Sequence, residues 1–426
     1  MAKLNPLNWA LHWQVFAALA LALIAGSLGA DNPSALAWFD FIGTLFLNAL
    51  KMLVVPLIVA AVLNGLVSVR GAALGRMGLA TLAYYAITGL LAILTGLLLV
   101  NLLAPGIIDG VPAGGRMGLD ASTADVVKQM EARGAGDFAK VLLLLFPPNI
   151  FAAAAEGQML GVICFSLLFG YALTRLPEDL GRVQRGFWQG LYEVMTRLTQ
   201  LVMRFAPLGV FGLVAKVVAT TGLDALRPLA MFFVAVLAGL FAHALITLPL
   251  VLKFVARVSP LRHYQAMTPA LLTAFSTSSS AATLPVTLEC MEQRAGLPRR
   301  VTSFVLPIGA NVNTDGTALY ECAVVLFIAQ AYGVTLGLSG QFVVVLGALL
   351  TGLGMAGIPS ASLVAIAVIL GAVGLPLEGI GLILAVDRVL DMCRTTVNVL
   401  GDSCAAAVVT RFDERFDDNG DTRETA

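Results

Sequence analysis

"LDMCRTTVNVLGDS", residues 390–403, is the stretch on which the reading of this chain turns. Asp391, Arg394, Asn398 and Asp402 stand in it, and long apolar runs flank it on both sides. At 3.6 residues per turn these four, with Asp387 a turn earlier, fall within an arc of roughly 80° and form one polar stripe on an otherwise apolar helix. Placing an Asp or Arg at a bilayer centre costs roughly 2.5–3.5 kcal/mol, so ionisable groups at four of these positions need a reason. Two readings are open: an internal salt-bridge network tying helices together, or a face that binds a charged, zwitterionic solute and its ions. The cost of burial favours the second.

Composition supports the bilayer. Of 426 residues, 58% are hydrophobic and 12% charged, against roughly 25% charged in soluble domains. Runs such as 187–219 and 229–255 exceed the roughly 20 apolar residues that a spanning helix needs. The chain is expected to be an all-α polytopic membrane protein with the lipid bilayer as its solvent. Lys plus Arg and Asp plus Glu number 26 each, so no basic footprint points to nucleic acid. Cys164, Cys290, Cys322, Cys393 and Cys404 lack pair or ligand spacing and read as reduced packing residues. Lys3 precedes apolar 14–30 without a convincing small-residue cleavage site, which reads as a retained first helix rather than a removed signal peptide.

Hydropathy places spanning helices near 14–30, 41–68, 77–104, 141–173, 187–219, 229–255, 303–331 and 380–410. Two further apolar stretches, 264–291 and 343–372, are decided by the charge of the loops around them, because cytoplasmic loops are enriched in Lys and Arg. Arg70 and Arg76 mark one inside loop, and Arg175, Arg182 and Arg185 the next. Arg257 and Arg262 precede 264–291, and Arg294, Arg299 and Arg300 follow it, so that stretch enters from inside and returns. The flanks of 343–372, "AYGVTLGLSGQ" and "GLPLEGIG", hold no Lys or Arg and suit an outside loop at both ends. The expected topology is eight transmembrane helices plus two re-entrant helical hairpins, an external loop at 105–140, and a disordered cytoplasmic tail at 411–426.

Each hairpin has small residues and a proline at its middle, "STSSSAATLP" (276–285) and "GMAGIPSAS" (354–362). Each precedes a helix with polar residues at membrane depth, "NVNTDGTALYE" (311–321) and the stretch quoted first. One pair enters from each side, which makes inverted repeats, the plan by which secondary transporters build a midplane site from broken helices. Irregular backbone at that depth survives where it is buried in protein or lines a cavity.

Residue chemistry narrows the solute. Arg394 can grip a carboxylate with its planar fork. Asp391, a turn earlier, can receive an ammonium group, while Asn398 and Thr395 can meet a second carboxylate. An acidic amino acid carries those three groups. Asp402 and Asp315 are hard oxygen ligands suited to a small cation beside carbonyls of the broken "NVNTDGT" segment. Ser278, Ser279 and Ser280 offer hydroxyls and free N–H groups at a hairpin tip.

"SSSAATLP", "NTDGTALYE", "AGIPSAS" and "DMCRTTVNVLGD" resemble the four signatures of the dicarboxylate/amino acid:cation symporter family, which includes excitatory amino-acid transporters and prokaryotic glutamate/aspartate transporter homologues. The likeness extends over nearly the whole chain, including "FPPNIFAAAAEGQMLGVI" (146–163) and "MRFAPLGVFGLVAK" (203–216). Inverted repeats are already known in one such homologue, so the topology and the resemblance are not independent. The resemblance implies that Arg394 binds the substrate side-chain carboxylate with Thr317 nearby. It gives the amino group to Asp391, and the α-carboxylate to Asn398 and the Ser278–Ser280 backbone. The tip around Ile358, Pro359, Ser360, Ala361 and Ser362 would close over the substrate. Asp402, Asn398, Asn313 and Gly309 match one sodium site; Tyr85, Thr88, Asn313 and Asp315 a second; Asn311 with the backbone near Gly352, Leu353 and Met355 a third. Sodium is thus expected as a co-transported ion, with no organic cofactor.

The resemblance further implies a homotrimer in the cell (inner) membrane with both termini cytoplasmic. Residues 1–72 and 141–222 would form the scaffold. Residues 73–104 and 223–410 would form a transport domain that slides across the membrane. Departures from the pattern are Thr314 where methionine is usual and Gly89 where serine is frequent. Two arginine positions of relatives hold Ser278 and Met392 here.

The expected function is import of L-aspartate or L-glutamate with sodium. The alternatives within the family are a proton-coupled dicarboxylate carrier, whose members usually lack the Asp391 carboxylate, and a neutral amino-acid carrier, which would lack Arg394. An intramembrane serine hydrolase needs a base beside Ser278–Ser280, and His12, His243 and His263 are isolated, so an enzyme is not expected. Arg388 lies off the stripe and suits a pairing role. Glu321 sits a turn beyond Thr317 at membrane depth, where desolvation favours the neutral form. It is either a satisfied core glutamate or, as in animal glutamate carriers, the group that carries a co-transported proton.

Overall fold

The structure is a computed structural model; it describes residues 11–30, 32–68, 76–119, 123–132, 143, 145–156, 158–222, 226–355 and 361–420. Among these, a single two-stranded hairpin, β1 (Ile107–Ile108) antiparallel to β2 (Val111–Pro112), interrupts an otherwise helical chain. In chain order the helices are α1 (Leu11–Gly29), α2 (Pro33–Ser68), α3 (Arg76–Leu103), α4 (Thr123–Ala132), α5 (Ile150–Ala155), α6 (Met159–Thr174), α7 (Glu178–Met203) and α8 (Ala206–Thr221). There follow α9 (Leu226–Ala256), α10 (Pro260–Thr277), α11 (Ser280–Glu289), α12 (Arg299–Val312), α13 (Asp315–Ala331), α14 (Leu338–Met355), α15 (Ala361–Val373) and α16 (Ile380–Gly420).

This is an all-α polytopic membrane architecture. Pro33–Asn64, Met77–Leu103, Leu226–Ala256 and the α12–α13 run Arg299–Ala331 are long and apolar enough to cross a bilayer, and α7 with α8 forms a fifth candidate bent by 50°. Leu79, Ile87, Leu94 and Leu98 of α3 point outward, as expected of a helix whose solvent is lipid.

Local sequence explains the breaks. Phe205 and Pro207 lie at the bend where the sequence reads a continuous 187–219 span: proline lacks the N–H that would bond the carbonyl four residues back. The expected 141–173 span is likewise two helices; Pro147 and Pro148 precede Asn149, whose Oδ1 accepts from the Phe151 and Ala152 amides and starts α5 afresh. The 105–140 loop carries β1, β2 and α4. The tail expected from 411 is helical as far as Gly420, because α16 continues without a breaker.

The two hairpin stretches are pairs of packed helices. α10 lies against α11 and the π-helical turn Cys290–Arg294 that extends it, and α14 lies against α15. Both pairs surround a helical centre made by α12, α13 and α16. The break expected in "NVNTDGT" falls at Asn313 and Thr314: Asn313 is extended, and Asp315 opens α13. Elsewhere α1 packs on α8, and α2 packs on α6, α7 and α8.

Candidate functional site

The α16 stripe is buried apart from Asp391, which is partly exposed. Arg394 is fully enclosed and is the largest such side chain. Its Nη1 donates to Asp387 Oδ1 at 3.0 Å and its Nη2 to Asp391 Oδ1 at 2.8 Å. The guanidinium carbon lies 3.9 Å from the centre of the Tyr320 ring, and the Tyr320 hydroxyl donates to Asp387 Oδ1 at 2.9 Å. Asp391 is shared: its Oδ2 accepts from Arg388 Nη1 at 3.3 Å. A Cβ on Gly316 would stand 2.7 Å from the Arg394 carbonyl oxygen, so glycine there lets α13 approach the arginine's backbone.

One turn on, Asn398 ties α16 to the start of α13. Its Oδ1 accepts from the Gly316 amide at 2.8 Å and its Nδ2 donates to Thr317 Oγ1 at 3.1 Å. Its carbonyl accepts from Asn313 Nδ2 at 2.9 Å. Thr395 is buried beside it on the same helix.

Further along lie the acids. Thr88 Oγ1 is 3.3 Å from Asp315 Oδ1, and His243 Nε2 is 3.3 Å from Asp315 Oδ2. Asp402 Oδ1 and Asn313 Oδ1 are buried without a hydrogen-bond partner. Lone acceptors at that depth cost free energy until a donor or a cation meets them. Gly309 and Gly401 keep the space open: a Cβ on Gly309 would stand 2.5 Å from Asp402 Oδ1 and overlap the Tyr85 hydroxyl, and one on Gly401 would stand 2.7 Å from Asn313 Nδ2. Tyr85 donates to the Val305 carbonyl at 3.3 Å. Among the described residues no group of three His, Cys, Asp or Glu forms a metal cage. The available donors are carboxylate, amide and hydroxyl oxygens, which suit a hard cation held in passing.

The serine tip has its own geometry. Ser278 takes φ +51°, and Ser279 caps α11 by accepting from the Ala282 amide at 3.2 Å. The Ser280 residue opens α11, and Ser278 Oγ is buried without a partner. Ser362 Oγ, in the first turn of α15, is likewise buried and unpartnered. Ile358, Pro359 and Ser360 lie outside the described residues, as do the side chains of Ala361, Leu353 and Met355. Gly352 is buried against Thr314 Oγ1. The structure does not bring Asn311 into the buried cluster: its amide is exposed and donates to the Pro307 carbonyl at 2.8 Å. Glu321 is buried, and its Oε2 accepts from Thr351 Oγ1 of α14 at 3.0 Å.

The model of the sodium:dicarboxylate symporter family matches residues 11–412. The chain belongs to that family. It is a transporter, not an enzyme. It is 35% identical to the proton/glutamate-aspartate symporter of Escherichia coli K12 over 423 residues, 97% of this chain and 95% of that protein. It is 34% identical to the proton/sodium-glutamate symport protein of Geobacillus stearothermophilus over 410 residues, 96% of each. With the human excitatory amino acid transporter 3 it shares 33% identity over 453 residues, 96% of this chain and 86% of that protein.

Sequence reasoning about this symporter left four site neighbours without a role. Asp387 lies on the stripe at a spacing of seven from Arg394, two turns along one face, so its pairing could have been inferred. Tyr320 carried no signal, because its partner is remote in sequence. His243, isolated in the sequence, is a fully buried residue that touches Asp315. Thr351, on a hairpin helix, had no reason to stand out before α14 was seen against α13.

Proposed function

We propose that this symporter imports L-aspartate or L-glutamate with sodium, and a proton with it, by exposing one buried site alternately to each side. The observation that carries this is the sharing of fully buried Arg394 between Asp387 and Asp391. An incoming side-chain carboxylate can replace Asp391 on the guanidinium fork, and the freed Asp391 can then take the substrate's ammonium. A ligand with both groups exchanges partners one for one, whereas a plain dicarboxylate would leave Asp391 with Arg388 alone and a neutral amino acid would leave Arg394 with Asp387 alone. Asn398, Thr317, Thr395 and the Ser278–Ser280 tip would hold the α-carboxylate, and the segment from Ile358 to Ser362 would close over it.

Sodium would bind where acceptors lack partners, among Asp402, Asn313, Asn398 and Gly309, and beside Tyr85, Thr88 and Asp315. A third ion would use Asn311 with the Gly352–Met355 backbone. The bacterial relatives named above are proton or proton/sodium symporters by name, and buried Glu321 is the group in this chain that could carry the proton. The packing of α1, α2, α6, α7 and α8 on one another, and of α3 and α9–α16 around the polar stripe, supports a scaffold over 1–72 and 141–222 and a moving domain over 73–104 and 223–410. Eight spans and two re-entrant hairpins, a homotrimer, the inner membrane and cytoplasmic termini complete the reading.

Uptake of radiolabelled L-aspartate and L-glutamate into proteoliposomes tests it, with each ion gradient varied alone. Accumulation that needs an inward sodium gradient supports the reading. Equal uptake with choline in place of sodium removes sodium from the mechanism, and uptake of neither amino acid removes the substrate class.

A further inference from the structure

Asp387 and Asp391 bring two carboxylates together on α16, and Arg394 supplies one positive charge between them. The second positive charge comes from Arg388, whose Nη1 reaches the Asp391 oxygen that Arg394 leaves free. Arg388 stands off the stripe, three residues before Asp391. Its side chain is 22% exposed while that of Arg394 is 1% exposed. The four charges sum to zero only because Arg388 is there. At the Asp402 end of the stripe no described Arg or Lys forms an ion pair with the acids, so that end has no comparable fixed cation.

We propose that Arg388 is the built-in counter-cation of the empty carrier, holding Asp391 on the return journey as the substrate's ammonium holds it on the way in. This rests on the symport reading above. A carrier doing net uptake must change its facing with no substrate bound, and an uncompensated negative charge in the Asp387–Asp391–Arg394 cluster opposes that step. Arg388 removes one uncompensated negative charge from the empty site whatever proton Glu321 holds. Being off the binding stripe, it acts through Asp391 and is a positioning residue. During exchange of internal for external substrate the empty carrier never crosses, so Arg388 matters far less there.

The test compares net uptake and homo-exchange of radiolabelled L-aspartate in the same proteoliposomes, for wild type, Arg388→Gln and Arg388→Lys. Exchange counts the folded, binding-competent carriers. In Arg388→Gln the ratio of net uptake to exchange should fall about tenfold, the factor expected when the return-competent state becomes that much rarer. Potassium loaded inside the liposomes should restore the ratio in Arg388→Gln by supplying the missing positive charge, and Arg388→Lys should keep a ratio close to wild type. A parallel fall of both modes, an unchanged ratio, or a fallen ratio that internal potassium does not raise overturns the proposal. If wild type shows neither uptake nor exchange of acidic amino acids, it is the symport reading that fails.

Discussion

The two ends of the α16 stripe hold similar acids in opposite states. At the Arg394 end every carboxylate contacts a guanidinium, and the charges cancel within the protein. At the Asp402 end, two to three turns further on, Asp402 Oδ1 and Asn313 Oδ1 are buried without a hydrogen-bond partner, and among the described residues Asp315 meets Thr88 and His243. One region has its acceptors met within the protein; the other has acceptors left open. A self-compensated cluster can trade partners with a zwitterion at little net cost, which suits the solute role proposed for it. An acid cluster without a fixed cation can take its charge from solution, which suits the ion role proposed for it. On the proposed reading, both clusters sit on the one helix α16, which would couple solute and ion recognition.

The hardest way to break the contrast is to strip the compensated end of its centre. Arg394→Cys leaves Asp387 and Asp391 sharing a buried site with Arg388 alone. Removing one partner of a buried pair costs roughly 3–5 kcal/mol, so acidic amino-acid binding should fall by about a hundredfold or more. Sodium binding in the absence of substrate should change much less. Isothermal titration with aspartate and with sodium separates the two, and undiminished aspartate affinity would remove Arg394 from the substrate site.

The uncompensated end should fail in the complementary way. Asp402→Asn keeps the shape but removes the charge, and the sodium concentration for half-maximal uptake should rise by about tenfold or more, given charge–charge energies of several kcal/mol at short range. Gly309→Ala tests the same pocket by volume. Its Cβ would press on Asp402 Oδ1 and the Tyr85 hydroxyl, and overpacking of this kind costs roughly 1–3 kcal/mol, so sodium affinity should drop by about tenfold. Sodium titrations of uptake at saturating aspartate read both, and an unchanged sodium requirement in both variants would place the ion elsewhere.

Much of this contrast was legible from the sequence, and the reasons are geometric. The 3.6-residue period gathers Asp387, Asp391, Arg394, Asn398 and Asp402 on one face without any knowledge of the fold. The break at Asn313–Thr314 shows as polar residues in an apolar run, and the serine tip shows as small residues between two helical stretches. What stayed hidden depends on partners brought from afar. The Tyr320 ring under Arg394, the His243 ring on Asp315 and the Thr351 hydroxyl on Glu321 each need two helices to be docked first. The orphaned oxygens of Asp402 and Asn313 are also invisible in one dimension, since a missing partner shows only when every neighbour is in place. The bend before Pro207 escaped for another reason: proline is common in membrane helices, and its presence alone does not say whether the span kinks.

A milder perturbation asks whether a third acid, between the two regions in character, belongs with the compensated or the uncompensated kind. Glu321 has a hydroxyl partner in Thr351, and among the described residues it forms no ion pair. If it carries a proton inward, an imposed inward proton gradient should speed wild-type uptake a few-fold at saturating sodium. Glu321→Gln, which is permanently neutral, should lose that response. Uptake indifferent to the gradient in wild type would leave Glu321 as a buried polar residue that Thr351 satisfies.

The smallest effect should come from the same residue types placed in water. Asp109, in the turn between β1 and β2, pairs with Arg227 at 3.0 Å and Arg116 at 3.3 Å, distances close to those around Arg394. Its side chain is 55% exposed and that of Arg227 60%. The hydrogen bond from Arg227 is the main reason that its carboxyl is held below the usual range, with Arg116 adding to it and desolvation opposing. A carboxyl lowered on folding adds stability that is present above the ordinary carboxylate pKa of about 4 and disappears as pH falls through its lower folded value. At neutral pH the contribution is therefore present, but solvent and salt screen it. Asp109→Asn should leave aspartate and sodium affinities at wild-type values and shift thermal unfolding only slightly, with the shift vanishing in high salt or at acid pH. A loss of transport comparable to that of Arg394→Cys would mean that bond geometry, and not burial, sets the worth of an Asp–Arg pair in this protein.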